Sequence, residues 1–160
     1  MRQFPVTAAM LVALGGVFPL LVGVWLFLVG ILTALPHLSL ILLAYGGCLL
    51  SFYGAVQWGF LVSKPTIILP KGEGLRDRRA LLLGAFAFLW GWLSLCVGLL
   101  GNLRTGFGLE ALGFIGVFAL ERIANRCGDL PPGYFMVRAV STGLCVAGFL
   151  LALLSPQGHF

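Results

Sequence analysis

Charge is what this sequence has least of. Ten Lys or Arg and five Asp or Glu make up 9% of the chain, while 60% of its residues are hydrophobic. A soluble domain stays nearer half apolar and a quarter charged, because its surface must face water, so a soluble globule is excluded. Histidine is almost missing. The two present, His37 and His159, fall outside the apolar runs, so the buried His ligands that a haem between membrane helices needs are absent. The four cysteines, Cys48, Cys96, Cys127 and Cys145, show no CxxC or zinc spacing. Three of them fall mid-helix, where Cys acts as a small apolar residue. No metal and no cofactor is expected. The chain also lacks GxSxG, HExxH and a glycine-rich phosphate loop running into Lys. Ser51, Ser94 and Ser141 have no His in reach to act as base, so no enzyme activity is expected.

What the chain does have is apolar length. Reading hydrophobic runs against breakers gives five helices, at about 6–35, 38–62, 80–100, 107–123 and 135–154. A helix needs roughly 20 apolar residues to cross about 30 Å of hydrocarbon. These runs are too long and too uniform for barrel strands, and lipid leaves no other way to satisfy the backbone. The expected fold is an all-α polytopic membrane protein, one domain over residues 1–160, built as a bundle of five transmembrane helices.

The basic residues test that count. Five crossings put Arg2, Lys64, Lys71, Arg76, Arg78, Arg79, Arg122, Arg126 and Arg138 on one side and Arg104 alone on the other. Removing the fourth crossing spoils the split to six against four. The positive-inside bias then places the N-terminus in the cytoplasm or mitochondrial matrix and the C-terminus across the membrane. These loop charges account for the net charge of +5 and remove nucleic acid as a partner. Lys71, Arg76, Arg78 and Arg79 form a basic patch suited to anionic lipid head groups or an acidic partner surface.

Twenty-three glycines are too many to be turns alone. Small residues recur every seven positions in helix 1 (Ala9, Gly16, Gly23, Gly30). They recur in alternating steps of three and four in helix 3 (Gly84, Ala87, Gly91, Ser94, Gly98) and helix 5 (Ser141, Cys145, Gly148, Ala152), a rhythm suited to left-handed packing. Helix 2 differs, with Gly47, Ser51, Ala55 and Gly59 every four residues, the form linked to right-handed crossings. Such seams serve packing inside the bundle or docking of a partner chain. Pro19 should kink helix 1 and free a carbonyl near Gly15 for a neighbour or water.

Ionisable residues inside a membrane are the default signal of function. Glu110 is the closest candidate for a transport path, though its place near a helix start also fits an acid served by the dipole and by water. Glu121 and Arg138, at the ends of consecutive helices, form a candidate ion pair, with Arg122 and Arg126 competing for the same acid. Trp58 and Tyr134 fit an interfacial aromatic belt, while Trp90 and Trp92 sit mid-bilayer as bulk.

The run Ser51-Phe52-Tyr53-Gly54-Ala55-Val56-Gln57-Trp58-Gly59 resembles the signature of the transmembrane-protein-69-like family, small polytopic proteins of bacteria and mitochondria whose domain has no known function. Leu130-Pro131-Pro132-Gly133-Tyr134, followed by Arg138 and Thr142, is similar to a second segment of that family, and Gly15, Gly16 and Pro19 to its opening. Gln57 stands where the family carries His or Arg, and Gly133 where it carries an aromatic. The resemblance implies a membrane, bacterial cytoplasmic or mitochondrial inner, and no reaction.

The function expected from these features is a non-catalytic accessory or assembly subunit of a larger inner-membrane complex of the respiratory-chain kind, with other membrane subunits and lipids as partners. The alternative is a small transporter or lipid-handling protein, with Gln57, Glu110 and the kinked helix 1 lining a path. That alternative expects Gln57 and Glu110 to face one another inside the bundle.

Overall fold

A computed structural model describes residues 6–29, 37–62, 73–126 and 134–155, with side chains over 15–29, 37–59, 78–123 and 134–155. It contains five helices: α1 (Val6–Leu28), α2 (Leu38–Val62), α3 (Glu73–Leu100), α4 (Leu103–Arg126) and α5 (Tyr134–Leu154). Spans long and apolar enough to cross a membrane lie in four of them: Leu38–Gly59, Arg78–Leu100, Leu103–Ile123 and Tyr134–Leu154. The described side chains of α1 add a shorter apolar stretch, Gly15–Leu28. The protein is an all-α polytopic helical bundle.

Two helix starts differ from those expected on hydropathy. α3 begins at Glu73, so Arg76, Arg78 and Arg79 lie on helix rather than in a turn. α4 begins at Leu103 because Asn102 caps it, its Oδ1 accepting from the Arg104 backbone N–H at 2.8 Å. The expected continuation of helix 1 to residue 35 lies outside the described residues beyond Val29.

Each helix packs on its neighbours in sequence, α1 closes the ring against α5, and α2 meets α4 across the middle. Aromatic rings fill the interior. Phe27 meets Phe107 edge-on at 6.3 Å, Phe107 stacks on Phe149 at 6.2 Å, and Phe149 leads through Phe114 to Tyr53. Helices already in lipid gain nothing hydrophobic by meeting, so close backbone contact must hold them. Gly47 and Gly91 supply it between α2 and α3: a Cβ on Gly91 would stand 2.9 Å from the Gly47 carbonyl oxygen. Gly98 faces Gly106 on α4 in the same way, and Gly54 faces Gly84.

The four-residue seam expected along α2 is not the one used. Gly47 lies at the α3 interface, but Ala55 and Gly59 are exposed and nothing stands within 4 Å of a Cβ on Gly59. Ser51 is half-buried and turns its hydroxyl back to the Gly47 carbonyl at 2.7 Å. Steps of four advance the contact by about 40° each around a helix, and steps of seven drift by only about 20°. Gly47 and Gly54 therefore stay on the α3 side. Gly16 and Gly23 of α1 lie against Leu49 and Leu42 of α2, and Gly148 of α5 lies against Val24 of α1. Gly30 is outside the described residues, as is the Ala9 side chain.

Two tryptophans act as interhelical latches. Trp58 covers Gly84 and donates to the Leu81 carbonyl at 3.2 Å. Trp90, read above as bulk, covers Gly113 and donates to the Leu109 carbonyl at 2.7 Å. Beside Pro19, the Tyr45 hydroxyl donates to the Gly16 carbonyl at 2.6 Å.

Candidate functional site

The inner face of α4 carries two acids. Glu110 and Glu121 are eleven residues apart, which is three turns and a small remainder, so they share a face about 16 Å apart along the axis. Both are 0% exposed, and Phe114 and Val117, equally buried, lie between them.

Glu121 is the centre of one polar cluster. Its Oε2 lies 2.6 Å from Arg138 Nε on α5, and its Oε1 accepts from Gln57 Nε2 on α2 at 3.0 Å. The Arg138 guanidinium also lies over the Tyr53 ring, 3.6 Å from its centroid, a cation–π contact that is strengthened where water is excluded. Tyr134, at the start of α5, is close enough to interact with Glu121. A carboxylate served by a cation and an amide is a satisfied buried ion. The guanidinium is less complete. Arg138 Nη1 and Nη2 have no hydrogen-bond partner among the described residues, and the same holds for Tyr53 Oη and Thr142 Oγ1. Arg138 is 2% exposed, so its donors are buried.

The two stretches singled out by resemblance thus converge. Tyr53 and Gln57 come from one, Tyr134 and Arg138 from the other, and Glu121 joins them although neither stretch contains it. Trp58 packs on α3 instead, and Thr142 lies buried one turn along α5 from Arg138. Gly54 packs against α3, Gly59 faces outward, and Pro131 and Pro132 lie outside the described residues.

Glu110 forms a different station. Its Oε1 is hydrogen-bonded with Ser94 Oγ of α3, and Ser94 Oγ also lies 2.8 Å from the Gly91 carbonyl. Its Oε2 has no partner among the described residues. Gly47 makes room for the acid, since a Cβ there would stand 3.3 Å from Oε1. The water-served acid near a helix end is therefore not what is found: α4 begins two turns earlier, and α2 and α3 close over the carboxyl. Gln57 and Glu110 do not meet, because each bonds a different partner at a different level of the bundle.

Of the basic patch, Arg78 and Arg79 are exposed, the Arg76 side chain is outside the described residues, and Lys71 lies wholly outside them. Arg122 is exposed beside the buried Glu121, which leaves that acid to Arg138. Among the described residues no group of three His, Cys, Asp or Glu could hold a metal. Sequence reasoning missed Ser94, Trp90 and Tyr53 as partners. The eleven-residue spacing of the two acids was visible and marks a common face.

A family model described as a protein of unknown function, DUF3429, matches residues 5–154. No curated protein and no solved structure matches the chain.

Proposed function

Because this chain belongs to the DUF3429 family, whose function is unknown, membership brings no activity with it, and we propose from the geometry that it is a small transporter. The observation that carries this reading is the polar stripe of α4, two wholly buried acids on one face with polar atoms at both levels that have no partner among the described residues. A bundle needing only cohesion gains little from buried ions, which are often neutral or costly against apolar residues of like volume. Inside a membrane such groups mark ion and substrate routes. The route runs along α4 between Glu110 and Glu121, with Phe114 and Val117 as the apolar barrier between them, and not from Gln57 to Glu110.

The test is reconstitution into vesicles of mixed zwitterionic and anionic lipid, given gradients of protons, sodium, potassium and phosphate in turn. Flux above that of empty vesicles, reduced by Glu110→Gln, is the expected result. Flux equal to empty vesicles for all four would sink the reading.

A second reading, an accessory or assembly subunit of a respiratory-chain complex, is favoured by α3, whose spanning stretch is only 22% buried and turns Phe88, Trp92 and Leu93 outward. Its test is co-migration with a large complex on native gels. Placement in the mitochondrial inner or bacterial cytoplasmic membrane, with the N-terminus on the matrix or cytoplasmic side, belongs to the proposal and rests on the basic residues. The likeness to transmembrane-protein-69-like proteins rests on residues 51–59 and 130–142 and supports the same membranes.

A further inference from the structure

We propose that Glu110 is a reversible proton-binding site, occupied in this structure as a neutral carboxylic acid whose O–H donates to Ser94. This names the transported ion of the proposed transporter and so rests on that reading. Ser94 Oγ carries one hydrogen and lies against two oxygens, Gly91 O and Glu110 Oε1. An ionised Glu110 makes both oxygens compete for it and leaves Oε2 bare. A carboxylate offers about four acceptor positions and no donor, and an isolated buried one is among the costliest groups in a fold. A proton on Oε1 resolves the pattern. The acid donates to Ser94 Oγ, Ser94 donates to the Gly91 carbonyl, and Oε2 remains as a neutral carbonyl oxygen.

Among the described residues the surroundings supply no cation. α2 presents the Gly47 backbone, α3 presents Ser94 and Gly91, and α5 brings Cys145, wholly buried and within electrostatic reach. The described buried residues of α1 are Val17, Leu20, Gly23, Val24 and Phe27, none of them polar or charged. Among the described residues the ion pair formed by an α4 acid is that of Glu121 with Arg138. The same side chain, on the same face of the same helix, is thus built to stay charged at one level and to carry a proton at the other. The space Gly47 leaves for Oε1 shows that the carboxyl is accommodated by the packing rather than trapped in it.

The experiment is infrared spectroscopy of the full chain in lipid nanodiscs near neutral pH, with wild type, Glu110→Gln and Ser94→Ala. The expected result is a protonated-carboxyl C=O band in wild type that is absent from Glu110→Gln and displaced in Ser94→Ala, which keeps the acid but removes its partner. The band should weaken as pH is raised, because raising pH removes the proton. A folded wild type without the band, or a band unchanged in both variants, overturns the proposal. Should Glu110→Gln not fold, the Ser94→Ala displacement decides alone. Proton flux into vesicles is read separately. A Glu110 band without flux keeps the proton site and removes the transporter, and flux without the band does the reverse.

Discussion

Glu121 and Glu110 occupy equivalent positions on α4, yet their surroundings are opposites. Glu121 draws a guanidinium from α5 and an amide from α2, one to each oxygen. Glu110 has one serine, shared with a backbone carbonyl, and a glycine that leaves it space. The difference teaches that burial alone does not decide what an acid in a membrane is for. The number of hydrogens pointed at it does. One station is wired as a permanent ion pair joining three helices, and the other is wired for a neutral acid.

The comparison breaks most severely at Arg138. Replacing it by Met leaves Glu121 buried without a cation, and about 3–5 kcal/mol of stability should go. Unfolding followed in detergent would measure this. The double variant Glu121→Met with Arg138→Met should lose less than either single one, and a loss equal to the sum of the two single losses would show that the pair is not coupled. Next comes the wall of the other station. Gly91→Ala drives a methyl into the Gly47 backbone, which cannot yield as a side chain does, at a cost of roughly 1–3 kcal/mol. Gly59→Ala, in open space, should stay within about 0.5 kcal/mol in the same assay.

Smaller effects sharpen the contrast. Trp90→Phe removes the bond to Leu109, and interhelical hydrogen bonds in membranes average about 0.6 kcal/mol. Glu110→Gln should also be a mild change, below about 1 kcal/mol, because an amide replaces a neutral acid of like shape and keeps a hydrogen for Ser94. A loss as large as that of Arg138→Met would mean that the two acids are alike after all.

Much of the bundle was legible in the chain because lipid allows so few solutions. A long apolar run must be a helix, and all five helices lie where the apolar runs place them, apart from the starts of α3 and α4. The pairing of Glu121 with Arg138 was also within reach, since two opposite charges at adjoining helix ends have few other partners. Glu110 was misread because its helix start was misplaced. Asn102 caps α4 at Leu103, which carries the acid two turns inward, and caps leave no mark on hydropathy. Ser94 was invisible as a partner because a serine among glycines reads as one more small residue. The α2 seam was misjudged for a geometric reason: steps of four and of seven both meet at Gly47, and what decides between them is where α3 lies, which the chain does not state locally.

The contact of α1 with α5 has a consequence for biogenesis. Val24 of the first helix packs on Gly148 of the last, so the ring joins elements from opposite ends of the chain. Helices enter a membrane in the order of synthesis, domains forming from the N-terminal side first. The first helix therefore waits longest for its partner, with α2 alone to hold it while three more are made. Glu121 waits as well, since its counter-ion arrives only with α5. The arrival of α5 therefore supplies both the contact that closes the ring and the cation for Glu121.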